Sequence, residues 1–191
     1  MNQPELIVQL QQGDEQAFKK LVDEWQDMVY NTAIGIVQNE DDADDITQDV
    51  FIQVYQSVSS FKGESKFSTW LYRIVISKAL DHVKRKKRKK RFAFVQSLFG
   101  NDGEEIVHPE EFNHPGVVME NKERAAELFK AMELLPDNQR IAFTLHKLEA
   151  QKHQDIAEIM NLSLTAVESL IARAKGNLRK TLTAYYIKNN F

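Results

Sequence analysis

The fold of the C-terminal part of the chain is decided by residues 153–178, HQDIAEIMNLSLTAVESLIARAKGNL. A short segment with apolar residues at helical spacing leads through a three-residue turn into a longer segment, which Ser163 is placed to cap. This spacing predicts a helix-turn-helix. The apolar residues of its second helix recur at the 3.6-residue period, at Val167, Ile171, Ala174 and Leu178.

The outer face of this second helix carries small, polar and basic side chains. A helix of this kind fits the major groove of DNA, where its outer side chains reach base edges and its cations meet phosphates. The residues off the apolar stripe are Thr165, Glu168, Ser169, Ala172 and Arg173, followed by Lys175. Spacing alone favours DNA binding about as much as the alternative, an ordinary helical hairpin with one solvated face.

The rest of the chain also shows helical periodicity. Residues 15–37 carry apolar side chains at helical spacing, and so does the acidic stretch that Asn39 is placed to cap. Gly63 breaks the pattern, after which a further helix runs into the basic residues 84–91. No strand pattern stands out in the sequence, and we therefore predict an all-α fold.

The charges are strongly segregated, although the net charge is only −3. Residues 84–91, KRKKRKKR, carry +8, whereas residues 1–83 carry a net charge of −8. Residues 92–121 have six acidic side chains, no Lys or Arg, and no helical periodicity. We predict a flexible acidic linker at 92–121, which joins a helical domain over 1–91 to a second helical domain over 122–191.

Aromatic residues surround the loop that contains Gly63 and precede the basic run. Phe61, Phe67, Trp70 and Tyr72 offer ring faces that can stack on unpaired bases, while nearby cations hold the backbone. The alternative is that Phe67 and Trp70 are core residues, and the sequence favours that alternative for at least one of them. Joined to the basic run, the aromatic residues favour binding of nucleic acid.

The acidic helix has a second face beside its core stripe. Asp45, Gln48, Asp49 and Ile52 follow one another at helical spacing on that face. An exposed isoleucine flanked by acids could dock a basic helix of a partner protein. Taken alone, an ordinary solvated face explains the pattern better.

Several classes of protein are disfavoured by what the sequence lacks. Without cysteine it has no disulfide or thiolate metal site, and a cytoplasmic location is expected. We expect no membrane insertion and no secretory signal, because no long apolar run and no basic-then-apolar N-terminus is present. His108 and His114 lack helical metal-ligand spacing, and no phosphate-binding glycine loop occurs. We expect no metal, no cofactor and no enzymatic activity.

Two blocks of the sequence resemble one known family, the extracytoplasmic-function (ECF) sigma factors. Region 2 of that family resembles residues 42–88, DADDITQDVFIQVYQSVSSFKGESKFSTWLYRIVISKALDHVKRKKR. Its region 4 resembles residues 134–180, LLPDNQRIAFTLHKLEAQKHQDIAEIMNLSLTAVESLIARAKGNLRK. Order and spacing match the family, including a variable linker. The resemblance implies a transcription initiation factor that binds RNA polymerase core and directs it to promoter DNA.

The resemblance also implies roles for individual residues. The acidic helix would bind the clamp helices of the polymerase β′ subunit, with the β subunit as a further contact, and an anti-sigma factor often clamps both domains. For core polymerase the implied residues are Asp45, Gln48, Asp49, Phe51 and Ile52. For capture and melting of the minus-10 element they are Phe61, Lys62, Gly63, Glu64, Ser65, Lys66, Trp70, Tyr72, Arg73 and Ser77. For the minus-35 element they are Ser163, Thr165, Ala166, Glu168, Ser169, Ala172, Arg173 and Lys175.

Four positions depart from the family pattern. Ser77 stands where Asn is frequent, and Glu168 and Leu170 stand where Lys and Arg are common, so the preferred DNA sequence is expected to differ. Glu168 could accept a hydrogen bond from cytosine, and Leu170 could touch a thymine methyl group. Lys152 replaces the usual serine cap of the first helix in the motif, which weakens that cap by about 1 kcal/mol.

The sequence is also compatible with three other functions. The first is a free-standing helix-turn-helix regulator that binds DNA without polymerase, and the aromatic loop and basic run argue against it. The second is a helical adaptor with no role at DNA. The third is an enzyme with a metal bound in the loop 108–114.

Overall fold

The computed structural model describes residues 3–99 and 119–188, and both ranges are helical with no strand in either. A single 3-10 turn within them spans Val58–Ser60. The α-helices are α1 (Gln3–Gln11), α2 (Glu15–Val37), α3 (Glu40–Ser57), α4 (Phe67–Phe99), α5 (Met119–Glu133), α6 (Asp137–Lys147), α7 (His153–Met160) and α8 (Leu164–Lys188). The predicted all-α fold is confirmed.

The helix starts follow from local side-chain chemistry. The predicted cap of α3 is confirmed, because the Asn39 side chain accepts a hydrogen bond from the Asp42 amide at 2.7 Å. Ser163 caps α8 in the same way, accepting from the Ala166 amide at 3.2 Å. Lys152 precedes α7 and makes no side-chain cap, as expected. Asn161 ends α7 in the left-handed conformation, with φ of 52°, a backbone state that Asn tolerates well.

The N-terminal part of the chain is a bundle in which α2, α3 and α4 pack against one another. The apolar stripe of α3 faces the centre of this bundle, and its members are nine-tenths buried or more. It comprises Ile46, Val50 and Val54, with Val58 in the 3-10 turn. Burial of such side chains, worth roughly 1.5–3 kcal/mol each, is the main force that holds the three helices together.

The C-terminal part is built on α8. Its predicted apolar stripe, Val167, Ile171, Ala174 and Leu178, is buried throughout. The first half of the stripe packs in the main core, and Ala174 and Leu178 pack in a second cluster with side chains of α5 and α6. Helices α7 and α8 form the predicted helix-turn-helix.

Helix α4 is longer than the sequence pattern predicts. It continues to Phe99, so the first eight residues of the predicted linker are helical, and α5 begins at Met119. The chain has no glycine or proline between Gly63 and Gly100, so nothing in this stretch interrupts helical hydrogen bonding. The predicted linker residues between the two helices, including the loop 108–114, lie outside the described residues.

The two helical parts pack directly on each other. Helix α6 contacts α2, and α7 contacts α4. Between α2 and α6, the carbonyl of Gly35 accepts a buried hydrogen bond from Thr144 Oγ1 at 3.0 Å. Ile156 of α7 and Leu145 of α6 belong to the same buried cluster as Leu71 of α4. The structure therefore has a core that runs from one part into the other.

Candidate nucleic-acid interface

The outer face of α8 is accessible, as the helix-turn-helix pattern predicts. Its exposed residues are Ser163, Thr165, Glu168, Ala172, Arg173 and Lys175, while Ala166 and Ser169 are half-buried. Leu170 is half-buried against the core rather than presented on this face. Glu168 Oε1 lies 3.9 Å from His153 Nδ1 on α7, so the acidic side chain of the face has a basic neighbour. The arrangement suits reading of base edges in duplex DNA.

Phe61, Phe67 and Trp70 form an aromatic cluster at the start of α4. Phe61 lies 5.2 Å from Trp70 between ring centroids, and Phe67 lies 5.3 Å from Trp70. Phe67 is buried at 3% exposure, so for this residue the core interpretation is confirmed. Phe61 and Trp70 are half-buried, and each keeps part of its ring at the surface. They are the aromatic residues of this set that can present a ring face to an unpaired base.

Trp70 opens onto a cleft along one side of α4. The cleft has a volume of about 470 Å³, which lies within the size range of ligand pockets in proteins. Arg73 and Ser77 line it one and two turns further along the helix. An indole beside a cation and a hydroxyl provides stacking, charge and hydrogen bonding in one place, which are the interactions that hold an extruded base.

The loop before α4 is a tight turn with exposed polar residues. Gly63 has φ of 72°, a left-handed conformation that side chains disfavour, so this point of the turn favours glycine. Lys62 and Glu64 beside it are exposed, and Ser65 is half-buried. Lys66 differs from them, because its Nζ lies 2.8 Å from Asp155 Oδ1 of α7.

Two further residues predicted to touch the minus-10 element also contact the C-terminal part. Tyr72 is 3% exposed, and its hydroxyl donates to Glu149 Oε2 at 2.9 Å. Burial, followed by the nearby Glu149 carboxylate, raises the pKa of Tyr72 well above its ordinary value, so its hydroxyl stays protonated. Arg73 donates to the backbone carbonyls of Glu158 at 2.7 Å and Ile159 at 3.3 Å. The residues predicted to touch the minus-10 element are therefore divided between those that face solvent and those that contact the C-terminal part, either on α7 or on the segment before it.

Glu149 should make packing of the C-terminal part pH-dependent. Burial raises the pKa of its carboxyl, outweighing the hydrogen bond from Tyr72. A raised folded-state pKa favours the protonated form on folding, so the stability contributed by this group is lost as pH rises through the raised value. Glu149→Gln keeps an acceptor oxygen for Tyr72 and cannot ionise. We expect the urea midpoint of this variant to exceed that of the wild type by a margin that grows from pH 4.5 to pH 7.

That comparison isolates Glu149 from the other titrating groups, because both proteins share them. A margin that stays constant, or shrinks, across this pH range would contradict the assignment.

The acidic face of α3 is exposed but smaller than predicted. Asp45, Gln48 and Asp49 lie at the surface, and Ile52 is 54% exposed. Phe51 is 7% exposed and packs in the core, so it supports the face from behind and cannot meet a partner there. Sequence reasoning missed Tyr55, which is 57% exposed, lies three residues after Ile52, and contacts Phe18 edge-on at 5.2 Å between ring centroids. An exposed apolar pair beside carboxylates is suited to binding a basic helix.

The basic run lies on the exposed surface of α4. Asp42, at the start of α3, accepts from Lys86 at 2.7 Å and lies 3.0 Å from His82 Nε2. Lys87 lies 3.5 Å from Asp137 of α6. The side chains that line an open groove on this part of α4 are Asp81, Lys84, Arg85, Lys87, Arg88 and Arg91. This groove concentrates positive charge where a phosphate backbone could lie.

Two negative findings concern the described residues 3–99 and 119–188. No group of three or more His, Asp or Glu side chains within them is arranged to hold a metal ion. None of the helices there combines the length and apolar character that crossing a membrane requires.

Two sequence-family models match the chain in the order that the two helical parts follow. Residues 21–89 match sigma-70 region 2, and residues 125–178 match sigma-70 region 4. Among curated proteins, the chain is similar to the ECF RNA polymerase sigma-E factor of Haemophilus influenzae. The two are 34% identical over 173 residues, which is 89% of either chain.

Solved structures share the fold. CnrH, solved in complex with the cytosolic domain of CnrY, aligns with a TM-score of 0.66 and 23% identity over 94% of this chain and 96% of its own. The sigma factor RpoE from Bartonella quintana, solved with the anti-sigma factor NepR, aligns with a TM-score of 0.60 and 21% identity. That alignment covers 87% of this chain and 96% of the other. The arrangement of helices is therefore one that sigma factors adopt.

Proposed function

The chain belongs to the extracytoplasmic-function sigma factors of the sigma-70 family, and we propose that it binds RNA polymerase core and directs it to specific promoters. The observation that carries the proposal is the pairing of two different DNA-binding chemistries in one chain. Trp70, Arg73 and Ser77 line a cleft suited to an unpaired base, and α8 presents a polar face suited to duplex. A protein that opens a duplex at one element while holding another element closed needs both.

Each surface has a proposed partner. The face of Asp45, Gln48, Asp49 and Ile52 binds the β′ clamp helices, residues 61–77 act on the minus-10 element, and residues 163–175 read the minus-35 element. The polymerase carries out the chemistry, and this chain makes no covalent change to a substrate. It acts in the cytoplasm, where the polymerase is. The division of labour follows the predicted boundaries, with 1–91 and 122–191 as the two working parts.

An anti-sigma factor is a further proposed partner. The related fold of RpoE was solved with such a protein bound. In this chain the open groove on α4 that Lys84, Arg88 and Arg91 help to line offers exposed cations, a surface that an acidic helix could cover.

Run-off transcription tests the function. Core polymerase is mixed with a pool of templates randomised at the minus-35 and minus-10 positions, with and without the chain. We expect transcripts from a selected subset of templates only when the chain is present. The rival, a free-standing regulator, predicts sequence-specific gel shifts by the chain alone and no change in the templates transcribed; that result would overturn the proposal.

A further inference from the structure

Helix α1 precedes residue 21, where the match to sigma-70 region 2 begins. It nevertheless packs in the main core, where Leu6 is 6% exposed and Leu10 is 5% exposed. It contacts α2 and the 3-10 turn Val58–Ser60. This turn leads directly into the loop that is proposed to act on the minus-10 element. The position of α1 therefore bears on the geometry of that loop.

The end of α1 is held against the start of α2 by local hydrogen bonds. Gly13 follows the helix in the left-handed conformation, with φ of 78°. The Asp14 amide donates to the Gln9 carbonyl at 3.1 Å, and the Asp14 carboxylate caps α2. These bonds use backbone groups that helix ends otherwise leave without a partner. They fix the backbone of Gln11, the last residue of α1, relative to the bundle.

The side chain of Gln11 joins α1 to the turn before the loop. Its Nε2 donates to the Phe61 carbonyl at 2.9 Å and to the Val58 carbonyl at 3.3 Å. The Phe61 amide also donates to the Val58 carbonyl, at 3.1 Å, so Gln11 binds the turn at the point where it ends. A carboxamide nitrogen carries two hydrogens, so it can serve both carbonyls at once.

Phe61 is the residue at which the turn becomes the loop. Its backbone is extended, with φ of −68° and ψ of 113°, and residues 62–66 follow it. Its ring lies 5.6 Å from Phe67 and 5.2 Å from Trp70 between centroids. A hydrogen bond to the Phe61 carbonyl therefore fixes both the start of the loop and one member of the aromatic cluster. Such preset geometry favours binding, because a loop that is ordered only on binding loses affinity to conformational entropy.

Resting on the proposed function, we infer that Gln11 is a positioning residue for promoter opening. It holds the Phe61 carbonyl so that the loop and Trp70 are arranged to receive the minus-10 strand. Without its two hydrogen bonds the loop samples other conformations, and capture weakens in proportion to the fraction of molecules that keep the competent one. Helix α1 thus acts in initiation through the loop, and reading of the minus-35 duplex by α8 does not depend on it.

Substitutions at Gln11 test this inference in holoenzyme reconstituted from core polymerase and the full chain. Gln11→Ala removes both hydrogen bonds, and Gln11→Glu places an acceptor where two carbonyls need a donor. The promoter is one selected in the run-off experiment, and opening is scored as permanganate reactivity of unpaired thymines per bound promoter. We expect opening to fall about threefold to tenfold for Gln11→Ala and further for Gln11→Glu. Gln11→Lys restores a donating nitrogen and should recover most of the wild-type opening.

Gln12→Glu and Gln12→Lys are the matched controls for charge. Gln12 is exposed and adjacent in the chain, so these variants introduce the same charges and leave the hydrogen bonds of Gln11 in place. We expect both controls to open the promoter as the wild type does. Filter retention of a minus-35 duplex at fixed salt should match the wild type in all five variants, because none of them alters α8.

The outcomes separate this inference from the proposed function. It would be overturned by wild-type opening in Gln11→Ala, by equal losses in Gln11→Glu and Gln12→Glu, or by a Gln11→Lys variant that opens no better than Gln11→Glu. A parallel loss of minus-35 duplex binding in the Gln11 variants would also overturn it. Opening by wild-type holoenzyme in those same experiments would leave the proposed function standing. A wild-type chain that gives neither selected transcripts nor opening would overturn both.

Discussion

Asp49→Lys is expected to weaken binding to core polymerase by at least about 2 kcal/mol, a typical cost of disrupting a charge pair in an interface. Asp49 is exposed near the middle of α3, beside Asp45, Gln48 and the apolar Ile52. A lysine there places like charge against a basic partner helix without disturbing the buried stripe of α3. Native co-purification or a fluorescence titration with core measures the loss, and circular dichroism should show unchanged helicity.

Asp44→Lys is the matched control for this prediction. Asp44 is also exposed on α3, but at 3.6 residues per turn it lies about 140° around the helix from Asp49 and about a quarter turn from the centre of the face. It is nearer the N-terminus of the helix, where an acid is more stabilising, so any loss caused by weakened helix structure should be larger in the control. Equal loss of core binding in both variants, or none in Asp49→Lys, would show that this face is not the contact.

Glu64→Ala and Arg173→Ala are expected to fail at different steps of initiation. Glu64 lies in the exposed loop beside the aromatic cluster. Removal of its carboxylate should therefore reduce strand opening and leave upstream duplex binding nearly intact. Arg173 lies on the open face of α8, and its loss should weaken promoter binding by about 1–3 kcal/mol if it contacts a guanine. Permanganate reactivity of unpaired thymines reports opening, and filter retention at fixed salt reports binding.

The contacts in the structure show which loop substitution is the better probe of strand opening. Lys66→Ala removes a cation of the proposed minus-10 surface but also breaks the pair with Asp155 of α7, so a change in opening would not report on the loop alone. Glu64 is exposed in the loop and is the better probe for that reason. For α8, Arg179→Ala removes the same charge from another side of the helix and should change only the salt-dependent part of binding. Reduced opening by Arg173→Ala at saturating protein would contradict this assignment of roles.

The sequence by itself determined the caps of α3 and α8 and the faces that these two helices bury. Asn39 and Ser163 cap their helices as predicted, and the stripe from Val167 to Leu178 is buried along its length. These features depend on residues within one or two turns of each other, so spacing along the chain is enough to reveal them. The family was identified separately, from the resemblance of two sequence blocks, in the right order, to regions 2 and 4 of the sigma factors.

Only the tertiary structure decided which of the helix faces that were predicted to be exposed are in fact exposed. The family resemblance placed Phe51 and Tyr72 among the polymerase- and DNA-binding residues, yet both are buried, because neighbouring helices cover those sides of α3 and α4. Gly35 and Thr144 are 109 residues apart, and nothing near either one in the sequence marks their contact. Packing between distant helices depends on the shape that both surfaces reach after folding, a property that local periodicity does not carry. The contacts that Lys66 and Arg73 make with α7 are therefore a property of the tertiary structure.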